Sequence, residues 1–255
     1  MAKLGAAFGQ ARDDFKKKLI TGADKLGYRV LDDRTMSTKE TESELREAAQ
    51  FFKSGLKAFT FGGKVGAPDE VQIVVLEKDG LRHVYVQPYG QVSPLPGEHH
   101  AVLPGSIAAP AAFVKQGLFG RKRWIAGDEA IAAHLNAQQA LTLAAKRCKW
   151  TWQLLSTSTI KLGWTAQARS LGDGRVHLVV SGGQYHAIFK NLYDYGYGRL
   201  HAVAGALQPA LGRDPAPPQT FLNPTPFDDG CVALLDADWS GAPAAGAPPT
   251  EPKPA

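Results

Sequence analysis

Two stretches of this chain, 94 residues apart, carry one β-hairpin pattern: a β-rich run, Asp-Gly, and a returning run with a histidine three residues after the glycine. The first spans Val71 to Val86, turns at Asp79-Gly80 and carries His83; the second spans Trp164 to Val180, turns at Asp173-Gly174 and carries His177. Asp-Gly between two such runs is a strong hairpin signal, because both central residues of the favoured turn need positive φ. Strands are therefore expected in both parts of the chain. The echo also raises a duplication, two similar halves each made of a helix and a meander. Convergence is the alternative, since unrelated hairpins readily settle on Asp-Gly.

Helix signals surround these strands. Leu4, Phe8, Ala11, Phe15 and Leu19 recur at helical spacing over residues 1–20, with Lys3, Arg12, Lys16, Lys17 and Lys18 on the remainder. Ser37-Thr38-Lys39-Glu40 reads as a capping box for a second helix. That helix has an apolar stripe of Leu45, Ala48, Ala49, Phe52, Leu56 and Phe59, and Gly62-Gly63 stops it. Asp128 is a candidate cap for a helix through Ile131 and Leu135, and a last helix is expected over Asp194 to Leu207, ended by Pro209. Pro88, Pro94, Pro96, Pro104 and Pro110 make 88–112 a long loop with room for a short strand at His100 to Leu103.

The expected class is α+β, an antiparallel sheet of hairpins packed against helices on one face. The expected segments are an N-terminal helix and linker (1–34), a first half ending in the proline-rich loop (35–112) and a second half (113–212). A Pro/Ala-rich tail (213–255) follows, disordered after 240, from which Phe221, Leu222, Phe227 and Val232 to Leu235 could dock back onto the body. The element order is loosely similar to that of small α+β secretion chaperones and of helix-grip folds, although no motif carries either likeness.

Length and composition, 255 residues with 44% hydrophobic and 21% charged, suffice for a sizeable core. Cys148 and Cys231 form no CxxC and read as reduced thiols. No apolar run approaches the roughly 18 residues of a membrane span, and charges interrupt the N-terminus before any signal core. The expected compartment is the cytoplasm, with a peripheral membrane contact as its variant.

Chemistry-bearing motifs are sparse. There is no HExxH, no Cys/His pair at zinc spacing, no GxSxG and no GxxxxGK[ST], so no catalytic residue, metal or cofactor is expected. Glu98-His99-His100 suggests a ligand set, but adjacent strand residues point to opposite sides. His83 and His177 would meet if the halves packed pseudo-symmetrically, giving a small hydrolase or lyase with an acid/base histidine in an inter-half cleft. The alternative is that both lie on the solvent face.

Charge is unevenly spread. Residues 115–169 hold nine lysines and arginines against Asp128 and Glu129, a net +7, whereas residues 30–80 net −3. Cations and rings interleave at Arg121, Lys122, Arg123 and Trp124 and again at Lys146, Arg147, Lys149, Trp150 and Trp152. Such a set suits anionic lipid headgroups, an acidic protein or, less favoured, single-stranded nucleic acid; a Trp-rich core with solubilising charges is the structural alternative. Tyr195, Tyr197 and Arg199 add a candidate contact surface. Lys3, Phe8, Arg12, Phe15 and Lys16 are candidates for a membrane or partner contact. The leading expectation is a non-enzymatic binding protein, adaptor or chaperone-like, meeting a protein partner or anionic surface. A hydrolase or lyase and a nucleic-acid-binding module are the alternatives.

Overall fold

The runs of Val, Ile and Leu that signalled hairpins are buried on both sides of one sheet, so they read as continuous apolar segments rather than as alternation. The computed structural model describes residues 13–14, 16–17, 19–37, 70–89, 97–115, 122–138, 165–181, 192–222, 224–225 and 227–240. The described residues between 13 and 25 are helical (α1). Then come β1 (Arg29–Ser37), β2 (Glu70–Lys78), β3 (Leu81–Tyr89), β4 (Glu98–Pro104), β5 (Ala111–Lys115) and β6 (Lys122–Ala126). Helix α2 (Glu129–Ala137), β7 (Thr165–Ser170), β8 (Arg175–Ser181), α3 (Leu192–Leu207) and α4 (Asp228–Asp236) complete the order. The expected second helix, beyond Ser37, and the expected strand around Trp150 and Trp152 lie outside the described residues.

The eight strands among the described residues join one antiparallel sheet in the order β1-β2-β3-β4-β8-β7-β5-β6. The α+β class is as expected. Both hairpins form, and β4 pairs with β8, so strands from the two expected halves share one sheet. Their turns differ. Asp79 and Gly80 have φ of 52° and 74°, as a tight two-residue turn needs. In the second hairpin Gly172 and Gly174, not Asp173, take positive φ, and a wider loop closes through Leu171 N–H to Arg175 C=O.

One face of the sheet packs α1 through Leu19 and Ala23, α2 through Ile131 and Leu135, and α3 through Leu200, Val203, Ala204 and Leu207. The expectation of helices on one face only is corrected by α4, built from the proline-rich tail. Its Phe227, Cys231, Leu234 and Leu235 cover Leu31, Val71, Ile73, Val75, Val84 and Val86 on the other face. Arg82 anchors the far end of α4, donating to the carbonyls of Leu235 and Ala237 at 2.9 and 3.1 Å. The linker expected before residue 34 is strand from Arg29. Likewise β4 takes up part of the expected 88–112 loop, and the Asp128 cap holds as expected, accepting from the N–H groups of Ala130 and Ile131.

Both sheet edges are guarded. β1 carries Arg29, Asp32, Asp33 and Arg34 and is bulged between Val30 and Asp32, features that discourage pairing with another chain. At β6 the Asn136 side chain acts as a substitute strand: it accepts from Trp124 N–H at 2.9 Å and donates to Trp124 C=O at 3.2 Å. Asn136→Ala strips both partners from that edge. It is expected to cost about 1 kcal/mol and to promote concentration-dependent self-association, read by analytical ultracentrifugation; a monomer of unchanged stability would contradict the capping role.

Candidate functional site

Polar side chains are buried on both faces of the sheet. The register decides which face each one takes. His83 pairs with Ala101 of β4, whereas His177 pairs with Val102, the next residue along the same strand. Neighbouring residues of β4 face opposite ways, so the echoed histidines lie on opposite faces. Both are 0% exposed. They neither meet in a cleft nor lie on a solvent face, and both expectations for the pair are corrected.

On the first face His83, His99 and the half-buried His201 of α3 stack with Tyr28 and Tyr85. The Tyr28 ring lies edge-on to His83 at 5.3 Å and to His201 at 5.4 Å, and Tyr85 stacks on His99 at 4.3 Å. The Tyr85 hydroxyl donates to Gln87 Oε1, whose amide donates to Pro88 C=O. Burial and then the neighbouring His201 push His83 down to about 3. Burial and then the neighbouring His83, His100, Arg199 and His201 likewise hold His99 well below its ordinary value. At neutral pH these rings are uncharged packing elements.

The second face holds a charged cluster. Glu98 and His100 are two residues apart on β4 and so share this side, while His99 turns away as strand geometry requires. His100 Nε2 is 3.2 Å from Glu98 Oε2, and His100 Nδ1 is 3.2 Å from His177 Nε2. From the start of α4, Asp228 closes the group. Thr225 Oγ1 lies 2.9 Å from Glu98 Oε2 and 3.1 Å from Asp228 Oδ1, and Thr225 N–H donates to Asp228 Oδ2 at 2.7 Å. One ligand atom each of Glu98, His100 and Asp228 lies within 4.8 Å of the others, and all three residues are buried.

Electrostatics follow from this geometry. Burial works against a charge on His100, but the Cys231 sulfur and the Glu98 carboxylate outweigh it and raise its pKa well above the usual imidazole value. His177 is pushed the other way, by burial and then by His100 and Arg169, so it stays neutral. Burial raises Asp228 to about 6, with Glu98 adding to the rise, and raises the Cys231 thiol. The sequence reading expected no metal. Of the set Glu98-His99-His100 named from the sequence, the strand turns His99 away and keeps Glu98 and His100 on one face, as their alternate spacing allows.

The residues singled out from the sequence as contacts are placed differently. Trp124 is buried in the core, its ring 5.5 Å from Phe113, so it presents no surface for stacking a base or lipid. Arg199 is buried, near enough to His99 to depress its pKa. Lys16 pairs with Glu70 at 2.9 Å, while Leu19 beside it packs on the sheet, so this part of α1 spends its apolar face inside the fold. Arg123 is exposed. Lys122 lies in β6, and Tyr195 and Tyr197 lie in the first turns of α3. Arg121, Lys146, Arg147, Lys149, Trp150 and Trp152, with Lys3, Phe8, Arg12 and Phe15, lie outside the described residues.

The two ends of the sheet are unlike. At one end the strands are joined by Asp79-Gly80, by 105–110 and by Leu171 to Gly174. At the other, where Ser37, Glu70, Tyr89, Glu98, Ser181, Thr165, Lys115 and Lys122 lie, the connections 38–69, 90–97 and 116–121 begin and end, 182–191 begins, and 139–164 enters β7. Of the basic segment, Lys115 and Lys122 lie at strand termini of this end, and Arg121, Lys146, Arg147, Lys149 and Lys161 lie outside the described residues. The Glu98 cluster sits against the same end, on the first residue of β4. Among the described residues, no helix is long and apolar enough to cross a membrane. No family model, curated protein or solved structure matches this chain.

Proposed function

We propose that this chain is a non-enzymatic binding protein whose sheet is a scaffold for contacts made from one of its ends. The observation that carries the reading is that the connections 38–69, 90–97 and 116–121 begin and end at one end of a sheet whose edges are guarded and whose faces are covered, with Lys115 and Lys122 of the basic segment at strand termini there. Binding residues concentrate on connections held by a rigid scaffold, and clustered cations speed and select an encounter with an anionic partner. The sealed histidines support the same reading, because a general acid or base must reach its substrate.

The partner is an acidic protein or another anionic surface. The test compares the full chain with a variant in which Arg121, Lys146, Arg147 and Lys149 are changed to glutamate. The probes are poly-glutamate, phosphatidylserine vesicles and a single-stranded oligonucleotide, each at two salt concentrations. Wild type should bind an anionic probe with an affinity that falls steeply with salt, and the variant should bind at least tenfold more weakly. Absence of binding to all three probes, or equal binding by the variant, would overturn the proposal; preference for the oligonucleotide would replace it with the nucleic-acid reading.

A further inference from the structure

We propose that Glu98, His100 and Asp228 form a closed site for one divalent metal ion of the zinc class, which clamps α4 onto the sheet. Four observations support it. The donor set, one imidazole and two carboxylates, suits borderline ions such as Zn²⁺ better than Mg²⁺ or Ca²⁺, which prefer all-oxygen shells. The spacing is close to what an ion needs: ligand atoms around a tetrahedral zinc are ~3.4 Å apart, the Glu98–His100 edge is already 3.2 Å, and all three atoms lie within 4.8 Å. Small rotations of the two carboxylates would complete the approach.

The third observation is the outer shell, which is in place. A metal-bound imidazole ordinarily donates its other N–H to an acceptor that fixes its tautomer. His177 Nε2, 3.2 Å from His100 Nδ1, is positioned as that acceptor and leaves His100 Nε2 facing the carboxylates. Thr225 holds both carboxylates through one hydroxyl. The fourth is burial: exposures of 5%, 0% and 5% for Glu98, His100 and Asp228 seal the site from bulk solvent, and the second oxygen of either carboxylate would supply the fourth donor that a structural site needs. Two carboxylates brought together away from water repel each other, and a dication between them turns that repulsion into attraction.

The ligands also tie distant parts of the chain. Glu98 and His100 lie on a central strand, and Asp228 is the first residue of a helix that arises from the tail. Binding would therefore couple to docking of α4, independently of what the loop-bearing end contacts.

The test uses the full chain, stripped with a chelator and then titrated with Zn²⁺, Mg²⁺ and, as a spectroscopic probe, Co²⁺. One Zn²⁺ per chain should be retained after desalting, Zn²⁺ should raise the melting temperature, and Mg²⁺ at the same concentration should not. Glu98→Gln, His100→Gln and Asp228→Asn should each weaken zinc binding about 100-fold or more. Asp228→Asn is nearly isosteric and relieves carboxylate repulsion, so it is the variant expected to fold. X-ray absorption on the wild-type zinc complex reads the shell without any substitution and should show oxygen and nitrogen neighbours with a single imidazole. Failure to retain zinc, full affinity in folded Asp228→Asn, or a shell with several imidazoles would each overturn the site.

Discussion

Phe227→Ala is expected to lower the free energy of unfolding by about 3–5 kcal/mol and to loosen α4 before the rest of the sheet opens. Phe227 is 0% exposed and is the largest of the fully buried side chains among the described residues. It enters the layer formed by Leu31, Val71, Ile73, Val75, Val84 and Val86, which no other helix among the described residues covers. Truncation removes its transfer free energy and leaves a cavity beneath a helix of nine residues with few other apolar anchors: Cys231, Leu234 and Leu235. A folded domain has only about 5–15 kcal/mol in hand, so this one change consumes much of it.

The same reasoning locates the damage. Arg82 still holds the far end of α4 and Thr225 the near end, but hydrogen bonds at two termini cannot replace the buried ring between them. Urea unfolding gives the total loss, and amide hydrogen exchange gives its location. Residues 228–236 should lose protection while β2 and β3 keep theirs. Phe227→Leu, which retains most of the volume, should cost about 1 kcal/mol. A loss below 1 kcal/mol for the alanine variant would mean that the second face does not depend on the tail for its cover.

How much of this was legible in the sequence depends on how local each signal is. Asp79-Gly80, the Asp128 cap and the stripe of Leu200, Val203 and Leu207 are decided within a few residues, and the corresponding elements stand where expected. β1 was missed because Asp32, Asp33 and Arg34 disguise it; they are tolerated since it is an edge strand with one neighbour. β5 and β6 are five residues each, and β5 is completed by β7, which arrives only after a long connection. Nothing near Phe113 announces that pairing.

The buried cluster illustrates the same limit. Glu98 and Asp228 come together through the β4–α4 contact, across about half of the chain, so their proximity has no signature at either position. The histidines failed for another reason. In a strand buried on both faces, alternation carries no information about inside and outside, and a polar residue there looks like a surface residue. Only the register of β3 against β4 and of β4 against β8 assigns His83 and His177 to their separate faces.

Acid should therefore unfold this protein more readily than its carboxylates alone would cause, and His83 should account for a measurable part. Its folded pKa is lowered to about 3, from 6.5 in the unfolded chain, by burial first and His201 second. Above pH 6.5 neither state binds the proton and the full stability is present. Below it the unfolded state takes up a proton that the folded state refuses, so stability falls by about 1.4 kcal/mol for each pH unit until pH approaches 3. At pH 4.5 the loss from this one side chain is about 2.7 kcal/mol. The groups facing His83 are His99 from β4, on which Tyr85 stacks, His201 from α3 and the ring of Tyr28, with Lys78 and Asp79 near His201. Protonation of His201 as the pH falls would repel a charge on His83 further, sharpening the effect. His83→Phe keeps a ring against Tyr28 and cannot titrate. It is expected to lose some stability at pH 7 through overpacking but to have a stability curve shallower than wild type by about 1.4 kcal/mol per pH unit between pH 6 and 4. Denaturant unfolding at five pH values, with chelator present throughout, measures both slopes; parallel curves would show that His83 does not resist protonation in the folded state.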